Sequence, residues 1–393
     1  MAQSQTKPRF HGAHARGDDW RHAVDKCVGQ LTGALSMPLG GSANGDEYLG
    51  FAFVTDLAAE HLEQIEARLR EATGVQHWVG TVGIGVCACG HEYFDEPAAA
   101  ILVAQLPAGS FRVFEQCAGD GRGLRFPGRA EDGPPWSDAT GPAFGLVHGD
   151  PNTADLPDRL TALSRQVATG FLVGGLASSR GPTHLMANGQ LTGGTVAGVL
   201  LDSNVAVSTR LSQGCLPIGP RREITGCRQN LLIELDGRPA LEVFREDIGE
   251  ELNRDLSRVG GLIFAALPIA GSDTGDYLVR NLLGLDPGDG VVAIGENVAP
   301  GDTVMFCRRD PHSAGEDLRR MLRELASRLD GPPAGGLYYT CLARGPNLFG
   351  PNSEELRLIK QELGSFPLAG FFGNGEISHD RLYAYTGVLT VFH

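Results

Sequence analysis

A glycine-rich bend with a carboxylate directly behind it lies close to the C-terminus. The stretch LAGFFGNGEISHD, residues 368–380, places Asn374 and Gly375 before Glu376. Glycine lets a ligand or a second backbone approach a strand closely, and it accepts the positive φ of a bulge. A carboxylate beside exposed backbone amides can hold an amine or a guanidinium. The stretch therefore predicts an open ligand site that Asn374, Gly375 and Glu376 contact.

An arginine upstream is a candidate to share this site. Arg344 and Gly345 follow the apolar, strand-like run 337–342. Since ligands bind where the ends of parallel strands gather, Arg344 and Glu376 are expected to face one pocket. The residues leave a second interpretation open, in which Glu376 pairs with Arg344 in a structural salt bridge and nothing else binds there.

Patterns of catalytic and metal chemistry are weak in this sequence. The glycine motifs GTVGIG and GFFGNG lead into a strand, whereas a phosphate-binding loop opens a helix. There is no G-x-S-x-G elbow and no H-E-x-x-H motif, and the histidines are scattered. The group Cys87, Cys89 and His91 lacks the spacing of a zinc site. We therefore expect a protein that is not an enzyme, with no catalytic residues, metal site or cofactor.

Charge and composition exclude several other classes. The 393 residues carry a formal net charge of −14, which is opposite to that of a surface built for nucleic-acid phosphates. No apolar run is long enough to cross a membrane, and the N-terminus lacks the apolar core of a secretory leader. The eight cysteines are dispersed and do not form a disulfide scaffold. We expect a cytoplasmic protein without nucleic-acid binding or membrane insertion.

An internal repeat predicts the fold. Residues 47–106 and 335–392 each read as a β-prone run, an amphipathic helix, a glycine-broken strand, a turn and a last strand. Both contain a glycine triplet of identical spacing: Gly80, Gly83 and Gly85 in the first, and Gly370, Gly373 and Gly375 in the second. A third copy over 142–201 and a looser fourth over 260–309 extend the pattern. We predict the α+β class, with repeated β-α-β-β units in mixed sheets flanked by helices, in two pseudo-repeated halves.

The domain organisation follows from composition and from the repeats. Residues 1–20 are polar and are expected to be a disordered tail. Residues 21–250 hold two copies, separated by a polar, Gly- and Pro-rich surface loop over 107–140. Residues 251–393 hold the other two copies and form the C-terminal region.

Several of these motifs resemble the FIST domain family. LARGPNLFGPNSEELRLIKQELGSFPLAGFFGNGEISH is similar to the C-terminal FIST domain, with its R-G after a strand and its later G-E-I. LSQGCLPIGPRREITGCRQNLLIELDGRPALEVF is similar to the centre of the family, and FLVGGLASSRGPTHLMANGQLTGGTVAGVLL to the end of the N-terminal FIST domain. The resemblance covers residues 45–393 and implies a FIST N-like region over 21–250 and a FIST C-like region over 251–393. Where family members often carry a second G-E-I-type turn, Val86 stands here, which puts an N-terminal ligand contact in doubt.

The resemblance implies a stand-alone sensory protein of signal transduction. FIST domains are regarded as small-ligand modules, with amino acids among the suggested ligands, so we expect binding of an amino acid or a related metabolite. A separate signalling protein is the expected partner. The candidate ligand-binding residues in the family motifs are Gln213, Arg344, Gly345, Asn374, Gly375 and Glu376.

Two alternatives to this sensor stay open at the level of sequence. Some FIST proteins resemble haem-based nitric-oxide sensors, and a haem needs an axial His, Cys, Met or Tyr. The eleven histidines of this chain include none that its motifs select for that role. The other alternative is an interaction scaffold without a ligand, in which the glycines serve packing only.

Overall fold

Two compact units make up the part of the chain that the structure describes. The structure is a computed structural model, and it describes residues 9–34, 46–116, 124–126, 141–192, 195–269 and 276–393. Unit 1 consists of residues 1–212, 318–382 and 386–393, and unit 2 of residues 213–317 and 383–385. The boundary predicted at residue 250 therefore lies inside unit 2.

Short helices alternate with many strands along the chain. Up to residue 201 the elements are β1 (Arg9–Arg16), α1 (Trp20–Ala34), β2 (Asp46–Thr55), α2 (Leu62–Thr73), β3 (His77–Gly83), β4 (Gly85–Ala88), β5 (His91–Phe94), β6 (Ala98–Pro107), β7 (Phe111–Gln116), β8 (Phe144–Gly149), α3 (Leu156–Ser164), β9 (Leu172–Leu176), β10 (Leu185–Ala187), β11 (Gln190–Thr192) and β12 (Val196–Leu201). The rest are β13 (Val207–Gln213), β14 (Cys215–Pro217), β15 (Arg222–Arg228), β16 (Leu231–Leu235), β17 (Arg238–Pro239), α4 (Ala240–Asp247), α5 (Gly249–Asn253), β18 (Ile263–Pro268), β19 (Tyr277–Asp286), β20 (Val291–Ile294), β21 (Thr303–Arg309), α6 (Pro311–Ala326), β22 (Gly335–Cys341), α7 (Glu354–Leu363), β23 (Leu368–Gly373), β24 (Glu376–Ser378), β25 (Arg381–Tyr383) and β26 (Thr386–Phe392). None of the helices in these ranges is long and apolar enough to span a membrane.

Unit 1 contains three copies of one supersecondary unit. Each copy has a strand, a helix, a second strand parallel to the first, a hairpin, and a last strand antiparallel to the first. The copies are β2-α2-β3-β4-β5-β6, β8-α3-β9-β10-β11-β12 and β22-α7-β23-β24-β25-β26. In α2, Leu62, Ile65 and Leu69 recur at helical spacing and are fully buried, which fixes the helix on its sheet. The predicted α+β class and the repeated units in mixed sheets are confirmed.

The hairpins of the three copies are exchanged in a cycle. Hairpin β4–β5 of the first copy extends the sheet of the third copy at β23. Hairpin β10–β11 of the second copy extends the first sheet at β3, and hairpin β24–β25 of the third extends the second sheet at β9. Each of the three six-stranded sheets therefore needs a segment from another copy, and unit 1 has a pseudo-threefold arrangement.

A glycine at one equivalent position in each copy allows the two parallel strands to approach closely. These glycines are Gly80 in β3, Gly174 in β9 and Gly370 in β23. An ideal Cβ added to them would lie 1.9, 1.7 and 1.9 Å, respectively, from a carbonyl oxygen of the neighbouring strand. Since no real Cβ tolerates such a distance, the first glycine of each predicted triplet is required by strand packing.

Unit 2 is built around a strand barrel, and the looser fourth copy is not present there. The barrel closes because β21 pairs with β15 on one side and with β18 on the other, and the ring continues through β16, β20 and β19. Phe244 of α4 packs against Phe306 of β21 with ring centroids 4.8 Å apart. The predicted fourth copy needed a helix near residues 276–285, but this stretch is strand β19. The leucines of this stretch are therefore distributed over the two faces of a strand and do not line one side of a helix.

Two predictions of irregular structure, the tail over 1–20 and the loop over 107–140, differ from the structure in the parts that it describes. Within the predicted tail, residues 1–8 lie outside the described residues, whereas 9–16 form β1, which pairs with β6 over its whole length. Within the predicted loop, 117–123 and 127–140 are outside the described ranges, but 111–116 form β7. Both strands pair with the last strand of a copy, so pairing in the sheet decides their conformation although their local composition is polar.

Gly370→Ala should destabilise unit 1 strongly. Its Cβ would meet the carbonyl oxygen of Tyr338, and strand separation is the only relief, at a cost of about 3 kcal/mol or more. Gly29→Ala is the matched control, because Gly29 is exposed in α1 with no atom within 4 Å of an added Cβ. That change should stabilise by about 0.5–1 kcal/mol. Urea unfolding followed by circular dichroism measures both, and equal midpoints would contradict the packing role.

Candidate functional site

Three equivalent rows of residues run across the three sheets of unit 1, each taking one residue from the first strand, one from the second and one from the exchanged hairpin. The rows are Phe53–Thr81–Leu185, Tyr339–Phe371–Val86 and His148–Gly175–Glu376. The first residues of the rows meet, with ring centroids 5.3–6.3 Å apart. Two rows are largely apolar, and the third, which we call the polar row, carries an imidazole and a carboxyl group.

The repeat acts as an internal control for the polar row. In the first sheet, Phe53 and Leu185 occupy the positions that His148 and Glu376 occupy in the second sheet. In the third sheet, Tyr339 and Val86 occupy these positions. The fold therefore accepts apolar or aromatic side chains at both positions. A histidine and a glutamate there are not required for folding, which points to a functional reason for them.

His148 is buried among aromatic rings without a hydrogen bond. Its ring centroid lies 5.3 Å from that of Phe53, 5.8 Å from that of Tyr339 and 5.9 Å from that of Phe371. Neither ring nitrogen has a partner among the described residues, and the same is true of the Tyr339 hydroxyl. Burial lowers the pKa of His148 to about 3, so the imidazole is neutral at physiological pH.

Glu376 is fully buried and has only one of its carboxyl oxygens hydrogen-bonded. Thr386 donates to Oε2 from its backbone N (3.1 Å) and from its Oγ1 (2.7 Å). Oε1 has no partner within the described part of the chain. Burial raises the pKa of Glu376 to about 8, although the hydrogen bonds from Thr386 and the charge of Arg344 act to lower it. The carboxyl group is therefore mostly protonated at neutral pH.

Arg344 pairs with a different carboxylate. Its Nε donates to Glu355 Oε1 at 2.7 Å, and both side chains are fully buried. The Gly345 backbone N donates to Glu355 Oε2 at 2.9 Å, with Gly345 at a φ of +52°. Burial acts to lower the pKa of Arg344, but the charge of Glu355 raises it, so the guanidinium stays cationic. The interpretation in which Glu376 forms the salt bridge with Arg344 was wrong, because Glu355 of α7 occupies that position.

The glycine bends meet as expected, but they are closed. The Ile84 backbone N donates to Ser178 Oγ at 2.8 Å, and Ser178 Oγ donates to the Phe372 carbonyl at 2.5 Å. Gly375 and Glu376 are buried, whereas Asn374, next to them, is exposed. The expectation of an open patch of amides beside Glu376 was therefore wrong. The bend instead leads from the surface at Asn374 to the interior within two residues.

Gln213 belongs to unit 2 and has an unpaired oxygen of its own. Its backbone N donates to Asp317 Oδ2 at 2.7 Å, and its Nε2 donates to the Tyr277 carbonyl at 3.3 Å. Its Oε1 is buried, and no donor reaches it from the described residues. The structure thus brings Arg344 and Gly345 together around Glu355 and places the remaining candidates of unit 1 at one bend.

The polar row holds buried polar atoms without partners among the described residues. Among the described residues, no group of three or more His, Cys, Asp or Glu side chains could hold a metal ion. His148 has the exposure of a core residue, and aromatic rings pack around it. A hydrogen-bonding ligand would satisfy the Glu376 Oε1, the His148 nitrogens or the Tyr339 hydroxyl.

His148 is the residue that sequence reasoning missed. It was one of several scattered histidines, and no motif surrounds it. Aligning the first strands of the three copies on their parallel glycine partners would have placed it beside Phe53 and Tyr339. A histidine at a position that is otherwise aromatic is the signal that could have identified it.

Comparison with known proteins agrees with this architecture. The FIST N domain matches residues 48–238, and the FIST C domain matches residues 240–379. An uncharacterized protein of Mycobacterium tuberculosis strain H37Rv is 33% identical over 389 residues, which is 94% of each chain. An uncharacterized protein of Mycobacterium bovis is 33% identical over 392 residues, covering 95% of this chain and 96% of the relative. The chain therefore belongs to the FIST family, whose domains are sensory domains of signal transduction.

The free energy of unfolding should fall as the pH rises, because Glu376 ionises. With a folded pKa of about 8 against an ordinary value of 4.5, its contribution is complete below pH 4.5 and is lost as the pH rises through 8. The loss is about 1.4 kcal/mol per pH unit in that window. Glu376→Gln keeps the acceptor for Thr386 and cannot ionise, so its stability profile should be flatter.

Unfolding midpoints in urea between pH 5 and pH 9 check this difference. Glu92→Gln is the comparison variant, because burial and the charge of Glu355 also raise the pKa of Glu92 to about 8. Profiles of wild type and Glu376→Gln that stay parallel over the whole range would contradict the assigned protonation of Glu376.

His148→Phe should stabilise the protein. It removes two buried nitrogens without partners, which cost about 1–3 kcal/mol each when left unsatisfied, and it installs the residue of the equivalent Phe53 position. Some of the gain is offset by the larger ring. The reverse exchange, Phe53→His, should destabilise. Thermal melting at pH 7 measures both, and a lower midpoint for His148→Phe would contradict the view that the fold has no need of the imidazole.

Proposed function

We propose that the chain is a cytoplasmic sensor of signal transduction that binds a small ligand at the polar row, with Glu376 as the recognising group. The observation that carries the proposal is the fully buried, unpaired Oε1 of Glu376 in a row whose two equivalents are apolar there. An unsatisfied buried oxygen is costly, so a ligand that donates a hydrogen bond to it gains more than it would at the surface. The cytoplasmic location is supported by the cysteines of the described ranges, which are free thiols.

An amino group is the ligand chemistry that fits this site, and amino acids or related metabolites are the proposed class. A cation beside Glu376 favours the ionised carboxylate, whereas burial favours the protonated form. Binding of an ammonium group is therefore accompanied by release of the Glu376 proton. The rings of Phe53 and Tyr339, which contact His148 of the polar row, are proposed to offer cation–π contacts to the same group.

The ligand reaches this oxygen by opening the bend. Asn374 is exposed and Gly375 is buried behind it, so these two residues are proposed to contact the ligand on its way to Glu376. Arg344 and Gly345 are proposed to act through Glu355, which holds the guanidinium charge near the site. The bound state then differs from the free state in the position of the bend, which is the change that a separate signalling protein would detect.

Gln213 is proposed as a ligand contact within unit 2. Its unpaired Oε1 accepts a hydrogen bond from a ligand N–H or O–H, while its Nε2 keeps the contact with Tyr277. Gln213→Leu tests this role separately from Glu376, since it removes the acceptor at similar volume.

Calorimetric titration with the common amino acids should identify a ligand whose binding releases a proton. We expect an apparent binding enthalpy that differs between phosphate and Tris buffer at pH 7, because the two buffers take up the proton with different heats. Glu376→Gln should weaken binding by about tenfold or more and abolish the buffer dependence, since a charge-assisted hydrogen bond is worth about 1.5–3 kcal/mol.

Glu354→Gln is the control for this experiment. Glu354 is a partly exposed carboxylate at the start of α7, so the variant makes the same chemical substitution at a group outside the polar row. Equal affinity of wild type and Glu376→Gln for a bound amino acid would show that Glu376 is not the recognising group. Binding without buffer dependence would overturn the coupling to its proton.

A further inference from the structure

A groove on unit 2 has walls of mixed polarity and a size that suits a small ligand. Its volume is about 530 Å³, within the range of about 300–1,000 Å³ that is usual for small-molecule sites. Helix α4, the beginning and end of α5, and the turn between β19 and β20 form its walls. Apolar contact area comes from Pro239, Leu241 and Pro287, and Arg245 lies among them.

Arg245 is the lining cation for which the described residues supply no carboxylate. Three neighbouring arginines are all paired: Arg222 with Asp247 at 2.5 Å, Arg238 with Glu246 at 2.6 Å and Arg254 with Glu250 at 4.0 Å. The Nε of Arg245 is buried and has no hydrogen-bond partner within the described ranges. A planar guanidinium also carries terminal N–H groups, which can donate to an acceptor in the groove.

The acidic residues of the groove do not neutralise Arg245. Glu242 and Glu246 both accept from Arg238, at 3.0 and 2.6 Å, so both carboxylates already have a partner, although one guanidinium balances only one of their two charges. The Glu250 side chain is 95% exposed and lies close to Arg254, where solvent screens it. None of these carboxylates forms an ion pair with Arg245 within the described ranges, so its guanidinium can pair with a carboxylate that enters the groove.

We propose that this groove binds a carboxylate. The Arg245 guanidinium donates two parallel N–H groups to its oxygens, and the apolar group next to the carboxylate lies on Pro239, Leu241 and Pro287. This chemistry is shared by a free small carboxylic acid and by the C-terminal carboxylate of a peptide. The binding is separate from the amine recognition proposed for Glu376.

N-acetyl-L-proline and its amide are the probes, because their shapes match and only the acid is charged. Titration calorimetry with the full chain should give saturable binding of the acid and at least about tenfold weaker binding of the amide. Arg245→Gln should lose the preference for the acid. Arg254→Gln, which makes the same change in charge on an exposed side chain, should retain it.

A second variant keeps the test independent of charge. Asn253 is an exposed residue at the end of α5 that also lines the groove, so Asn253→Trp fills the space and leaves Arg245 in place. We expect this variant to melt at the wild-type temperature and to lose acid binding. Loss of acid binding in Arg245→Gln but not in Asn253→Trp would place the carboxylate outside the groove and overturn the proposal.

A peptide that ends in Leu-Pro, with a free or an amidated C-terminus, separates the two sources of carboxylate. Binding at least about tenfold tighter than that of N-acetyl-L-proline, and lost on amidation, assigns the groove to a chain terminus. Equal affinities of peptide and N-acetyl-L-proline assign it to a free acid. No saturable binding of any acid up to about 10 mM, or equal binding of acid and amide, would refute a carboxylate site.

Discussion

The cyclic exchange of hairpins depends on the close contact between the parallel strands of each copy, and the candidate site depends on both. Gly80, Gly174 and Gly370 allow these strands to lie against each other without a side chain between them. A hairpin from another copy then completes the sheet beside the second strand. The polar row consequently joins segments more than 200 residues apart in sequence, since His148 comes from the second copy and Glu376 from the third. Such long-range pairing is slow to form, but once formed it fixes the register of all three sheets.

The polar row departs from the internal symmetry at a cost in stability, and the fold does not require this departure. At the equivalent positions, Phe53, Leu185, Val86 and Tyr339 contribute apolar or aromatic burial, whereas the polar row buries an imidazole and a carboxyl with unpaired atoms. Buried polar atoms of this kind lower stability and are retained where function requires them.

The sequence predicted what local patterns determine and missed what distant contacts determine. The helices with apolar spacing, the glycine triplets and the position of a carboxylate behind the last glycine could all be recognised in the sequence, but the burial of that carboxylate could not. The exchange of hairpins could not, because every copy reads as if its hairpin belonged to its own sheet. Strand β19 was misread because YLVRNLLGLD offers apolar residues at both helical and strand spacing. The partner of Arg344 was missed for a similar reason, since Glu355 is one of several charged residues at the start of α7 and its burial depends on the fold.

The hydrogen bonds between Glu376 and Thr386 connect the proposed binding event to the rest of unit 1. Glu376 lies on β24, which is paired with β9 in the second sheet, whereas Thr386 begins β26 of the third sheet. One carboxyl group therefore links two sheets from a position that is closed to solvent. Ionisation of this group strengthens its bonds to the Thr386 donors, and an incoming ammonium group draws on its other oxygen. Because a packed core shifts between discrete arrangements and does not deform continuously, a change in the charge of Glu376 would move β24 against β26 as a unit. The exposed bend at Asn374 lies two residues before Glu376 and connects this position to the surface.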